Sequence, residues 1–284
     1  MKRFSLLFTT ALLVWAGSPG LEEARKLYQL SEFEKSLAIL QKLPQKDAAV
    51  WELIGRNYYG QADFKKATDA LEKALAEDPN SSEINHWLGR AYGRRAETSS
   101  MITAPAYASK ARQYFEKATK LNPANLEAQS DLFEYYLEAP GFLGGGFDKA
   151  SLVAEQMSRI NAGEGYWAQA KLAEKRKEYK NAEVHLREAI AAAPQQVGRL
   201  IDLAKLLTKQ GRHQEADQSI AKAEEIAPNS PKLMFAKAEL YVKSRRNLDI
   251  ARELLKRYIG LTTLTPDDPP KADAEKLLKQ AQGS

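Results

Sequence analysis

A small side chain returns along this sequence at nearly even intervals: Ser36, Ala67, Ala111, Ala150, Ala182, Ala216 and Ala251 lie 31, 44, 39, 32, 34 and 35 residues apart. Prolines keep the same beat at Pro79, Pro123, Pro194 and Pro228, the last two separated by 34 residues. Self-similarity at this period means stacked supersecondary units, because each unit is too small to bury its apolar face except against its neighbours. The 284 residues exceed what one core usually organises, and no Gly/Ser linker or change of composition splits them into separate globules. A continuous, elongated array is the expected architecture.

Residues 48–80, AAVWELIGRNYYGQADFKKATDALEKALAEDPN, supply the template. Trp51, Ile54 and Tyr58, then Phe64, Ala67, Leu71 and Ala74, recur at steps of three and four, which predicts two amphipathic helices that each bury one stripe. Gly55 and Ala67 are small where the paired helices come closest. Pro79 ends the second helix, since it lacks an N–H and pushes its predecessor out of helical geometry. With 44% hydrophobic and 28% charged residues the chain can fill a core and keep a large surface soluble.

With Trp51, Ile54, Gly55, Tyr58, Phe64, Ala67, Leu71, Ala74 and Pro79 all in place, this segment resembles a tetratricopeptide repeat, a helix-turn-helix unit of about 34 residues. The resemblance implies an all-α, right-handed solenoid of about seven such units, approximately 21–46, 48–81, 82–125, 126–162, 163–196, 197–230 and 231–260. The first is an abbreviated cap marked by Phe33, Ser36 and Leu40. After Gly260 the stretch LTTLTPDDPP breaks the helix, and KADAEKLLKQAQ follows as an amphipathic helix expected to cover the last unit's apolar face.

Members of this family receive extended peptides or helices on a concave surface lined by the first helix of each unit. Carried over unit by unit, the groove-facing positions are Glu52, Arg56 and Tyr59, then His86, Arg90 and Arg94, a cationic N-terminal stretch. Further along they are Trp167, Lys171 and Lys175, then Ile201, Lys205 and Lys209, then Phe235 and Lys243, an apolar ladder beside a lysine ladder. That arrangement suits a protein or peptide with hydrophobic anchors and acidic groups. The competing reading makes Trp167 a core residue and the lysines ordinary solvated side chains. Arg56 stands where chaperone-tail binders of the family carry asparagine, which disfavours that ligand.

The two long intervals place extra residues in units three and four, between the first and second helices. Those of unit four, with Pro140, Phe142, Gly144, Gly145 and Gly146, form a candidate partner-contacting ledge. Alternatively they form a long turn that lets Phe142, Leu143 and Phe147 tuck over the helix ends. No Lys-Ser or Lys-Thr follows the glycines and no strand precedes them, so this is not a phosphate loop.

No chemistry is legible elsewhere. There is no cysteine, hence no thiolate metal site, thiol nucleophile, disulfide or lipid-modified cysteine. His86, His185 and His213 fall in different units without metal-ligand spacing and are expected at the surface. No catalytic, nucleotide or calcium motif appears, and Asp267-Asp268 sits in a turn rather than an apolar pocket, so neither catalysis, a metal nor a cofactor is expected. The net charge of +5 is spread among acids along the chain, the pattern of solvated helix faces rather than of a nucleic-acid stripe.

Residues 1–20 pair Lys2 and Arg3 with an uncharged stretch from Phe4 to Ala16, too short to span a bilayer as a helix and laid out like a signal peptide cut after Ala16 or Gly20. The expectation is a periplasmic or secreted interaction scaffold that binds another protein or peptide, with an uncleaved segment tethering it to a membrane as the alternative. The rivals are a binder of a small or lipidic ligand enclosed by the groove and the glycine-rich loop, and a glycan-acting protein.

Overall fold

The computed structural model describes residues 19–262, 264–265 and 268–283. The signal-peptide reading rests on residues 1–18 and so lies outside the described residues, as does Asp267. Seven helix pairs follow one another: α1 (Pro19–Gln29) with α2 (Phe33–Lys42), α3 (Ala48–Gly60) with α4 (Phe64–Glu77), α5 (Ser82–Thr98) with α6 (Ala104–Leu121), α7 (Leu126–Glu138) with α8 (Phe147–Ile160), α9 (Ala162–Lys175) with α10 (Tyr179–Ala192), α11 (Val197–Lys209) with α12 (His213–Ile226), and α13 (Pro231–Lys243) with α14 (Leu248–Ile259). A last helix, α15 (Lys271–Gln282), closes the stack. No strand occurs among the described residues.

Helix starts follow from the connectors between units. Asp47, Ser81, Asn125, Asn161 and Ser230 each accept a hydrogen bond from the backbone N–H three residues on, capping α3, α5, α7, α9 and α13. Inside a unit the turn is equally regular. Ser31, Ala62, Lys177, Gly211 and Arg245 sit in the left-handed region, with φ from 51° to 75°. The following residue's N–H reaches back to the carbonyl five positions earlier in each case, as from Asp63 to Tyr58 and from Glu178 to Ala173. This Schellman closure satisfies carbonyls that the ending helix leaves open, yet only Gly211 meets it with the residue that adopts it without strain.

The recurrent small residues are the points of closest helix approach. From Ser36 to Ala251 all seven are at most 2% exposed. Gly55 needs the same closeness, since a Cβ there would lie 2.5 Å from Leu71 Cγ. Ser36 keeps its place because its buried hydroxyl donates to the Ala24 carbonyl at 2.8 Å. At the far end Ala274, Leu277 and Ala281 of α15 join Leu255 and Tyr258 in one apolar cluster, so the last unit is capped as its sequence indicates.

Unit three departs from the expected inserted loop. Its extra residues lengthen α5 and α6 to 17 and 18 residues, against 13 and 14 in α3 and α4, leaving only Ser99–Thr103 as the connection. The run GRRAE consists of good helix formers apart from Gly93, so the helix continues where a turn was expected. In unit four the extra residues do form an irregular link, with one 3-10 turn at Gly141–Leu143.

The strain in the unit turns generates a prediction. Replacing Lys177 by glycine removes a left-handed non-glycine residue at an exposed site, and the stability measured by denaturant melting should rise by about 0.5–1 kcal/mol. An unchanged or lower stability would show that the turn is not strained there.

Candidate functional site

The first helices of the units form the inner wall of a curved stack. A cleft of about 490 Å³ is bounded by His86 and Arg90 of α5, Ser130 and Asp131 of α7, Glu164 of α9 and Arg199 of α11. Another, of about 670 Å³, joins Tyr59, Phe64 and Arg94 of units two and three to Lys232 and Asp268 near the C-terminus. The curvature is tight enough for Glu134 on α7 to feel the charges of Lys171, Asp202 and Lys232 on the three following units.

Within this wall the expected apolar ladder is absent. Trp167 is 5% exposed, its ring packed 5.6 Å from that of Phe133 and its indole N–H donating to Asp202 Oδ2 at 2.9 Å. Ile201 and Phe235 are likewise buried, the latter against Tyr258. A first helix lies between the preceding pair and the following one and so carries two apolar faces. In α13, for instance, 8 of the 13 residues are buried. Spacing of three and four cannot tell a second buried face from an open groove, and these residues belong to the core.

The lysine ladder exists but is not a strip of free cations. Lys171 pairs with Asp202 at 3.1 Å and Lys205 with Glu239 at 3.1 Å, each reaching forward one unit. Lys175 pairs with Glu138 at 2.8 Å and Lys209 with Glu174 at 3.2 Å, each reaching back one unit. Lys243 is held within its own helix by Glu239, whose carboxyl lies below the usual carboxylate range because both lysines offset its burial.

The N-terminal residues form a stack of a different kind. The Arg56 guanidinium lies between the rings of Tyr28 and Trp87, 5.1 and 4.6 Å from their centroids, and Arg90 lies 4.5 Å from Trp87 and 5.4 Å from Tyr59. Cation–π contacts of this type contribute about 0.5–2 kcal/mol each, depending on desolvation. Glu52 bonds Arg56 at 3.1 Å, but burial outweighs that charge and holds its carboxyl above the usual range. Arg94 lies over Phe64 and pairs with Glu97. His86, expected at the surface and in the groove, is 1% exposed, with Nε2 2.7 Å from Asp131 Oδ2. Among the described residues no cluster of histidine and carboxylate side chains has metal-holding geometry.

The ledge of unit four is partly as expected. Phe147 packs under Arg176 at 4.1 Å, and Tyr135 donates to the Leu143 carbonyl, tying the link down. Phe142 instead projects into water, 82% exposed beside Pro140. Gly144 takes φ +87°, Gly145 leaves no room for a Cβ beside the Ala139 carbonyl, and Gly146 donates its N–H to the Tyr136 carbonyl. Met101 and Ile102, at the tip between α5 and α6, are more than 90% exposed. Two large apolar residues inside a Ser/Thr-rich turn are the sequence signal that would have pointed to them.

Asp202 is the hinge of the later wall, accepting from both Trp167 and Lys171. Asp202→Ala should cost about 1–3 kcal/mol, because it strands a buried indole N–H, whereas Lys171→Met should cost less than about 1 kcal/mol, because the ion pair keeps contact with solvent and Asp202 retains the indole bond. Equal losses in thermal melts of the two variants would contradict this assignment.

Three models described as tetratricopeptide repeat match residues 48–81, 107–125 and 173–231. Among solved structures, a tetratricopeptide repeat protein from Parabacteroides merdae ATCC 43184 is similar with a TM-score of 0.63 and 17% identity, covering 93% of this chain and 97% of that one. A thermophilic TPR protein of Thermus thermophilus is similar with a TM-score of 0.54 and 19% identity, covering 66% and 97%. A chain of the APC/C hetero-tetramer Cut9-Hcn1 is similar with a TM-score of 0.54 and 14% identity, covering 91% and 46%. At these identities the likeness carries the fold and no more, and curated proteins yield no match. The helix pairs, the small residues at their crossings and the matching repeat models lead to one conclusion: the chain belongs to the tetratricopeptide-repeat family.

Proposed function

We propose that this protein is an interaction scaffold that holds a segment of a partner protein along the inner wall of its solenoid, and that it works outside the cytoplasm. The observation that carries the first part is the continuity of that wall. Its clefts run from Tyr59 in unit two to Arg199 in unit six, and they are lined by polar and aromatic side chains set mostly on the first helices of the units, with the connector before α15 closing one side. Such a surface can bind an extended chain with little loss of its own entropy, since it is built before the partner arrives. One structural relative was solved inside a hetero-tetramer, APC/C Cut9-Hcn1. The second part rests on Lys2, Arg3 and the apolar stretch that follows them.

A photo-crosslinking residue at Ser130, inside the wall, should capture a partner protein in cells, while the same residue at Val184, exposed on a second helix, should not. Equal capture from both positions would refute the groove. A small molecule retained at Ser130 in native mass spectrometry would replace the scaffold with a ligand-binding protein. Fractionation should place the chain, shortened at its N-terminus, in the exported fraction.

A further inference from the structure

The first helix of unit three carries a glycine that its own packing does not require. Gly55 and Gly89 lie where a Cβ would strike Leu71 or Phe115, but a Cβ on Gly93 would meet nothing within 4 Å. Gly93 lies well inside the 17-residue α5, where glycine costs about 1 kcal/mol relative to alanine. The space above it is a cleft of about 510 Å³ between α5, α6 and α7. Its floor is small, from Gly93, Ala96, Ala108 and Ala111, and its sides are apolar, from Phe115 and Leu143. No side chain among the described residues fills it.

The charge around this cleft has a sign. Arg94 is engaged by Glu97, and Glu138 by Lys175. Glu134, on the α7 wall of the cleft, is exposed, and among the described residues no cation comes within ion-pairing distance of it. Crowding by the surrounding protein and then the Asp131 charge hold its carboxyl above the usual range, with Asp202 adding to them and Lys171 and Lys232 opposing. The cleft thus offers an apolar hole beside a carboxylate that has no ion-pair partner among the described residues.

We propose that this cleft seats an aliphatic side chain of the partner segment and that Glu134 takes a lysine or arginine adjacent to it. This preference is opposite to the one that the lysine ladder suggests in the sequence, because those lysines are already neutralised by carboxylates of neighbouring units. The inference rests on the groove reading above and narrows it to one place and one partner chemistry.

The test is selection of displayed random dodecapeptides on the full chain, with the recovered peptides measured by fluorescence anisotropy. The expected consensus is an aliphatic residue next to lysine or arginine. Gly93→Leu, which fills the hole and strengthens the helix, should weaken such peptides by at least about 10-fold without lowering the melting temperature. Glu134→Gln should weaken them about 5-fold, and Glu134→Lys should turn the selection toward acidic neighbours. An acidic consensus on the unaltered protein would overturn the proposal. Peptides that lose binding on Ser130→Trp but ignore both Gly93→Leu and Glu134→Lys would also overturn it, while leaving the groove intact. No enrichment on any form would overturn both.

Discussion

Everything in this fold hangs on the close approach of helices at alanine. Ala67, Ala150, Ala182 and Ala251 are wholly buried, and so are Leu71 and Leu255, one turn further along the same helices as Ala67 and Ala251. A unit of two short helices would be marginal in water by itself. It persists because its neighbours cover the faces it cannot cover, and the small residues let those neighbours come within contact distance. The period of the sequence is the imprint of that one requirement, repeated along the stack. Ends are therefore special: the first pair replaces alanine with Ser36, which finds the Ala24 carbonyl, and the last pair is sealed by α15.

A second regularity is electrostatic. Many of the polar bonds that join units run from a basic side chain or a tryptophan to a carboxylate about one unit away, as from Lys171 and Trp167 to Asp202, from Lys205 to Glu239, or from Arg246 to Asp217. They add little energy where they are half exposed, but they consume the charges of the inner wall in pairs. What remains unpaired there is correspondingly informative, and Glu134 stands out against the paired background. In units two and three the same wall is built from arginines between aromatic rings, which sets charge against π-faces as well as carboxylates.

The insertions of units three and four change the character of the middle of the stack. Elsewhere a left-handed residue closes each unit in a tight turn; here the turn is replaced by two longer helices in one unit and a glycine-bearing link in the next. The cleft over Gly93 lies at this departure from the repeat, walled by both modified units. Its position follows from the extra turn of α5, which carries the helix past the point where its counterparts stop.

How much of this was readable beforehand differs by kind of feature. The helix pairs, the buried small residues, the proline stops and the capping helix follow from the sequence, because they depend on local periodicity and on contacts that recur at a fixed interval. The sequence determined the family and the order of the elements for the same reason. Only the tertiary structure decided the faces. It buried Trp167, Ile201 and Phe235, which share their spacing with groove residues, because a helix between two neighbours has apolar residues on both sides. It also paired the lysines with partners a full unit away and hid His86 against Asp131, since charge complementarity across a stack is a property of distances that no one-dimensional pattern contains.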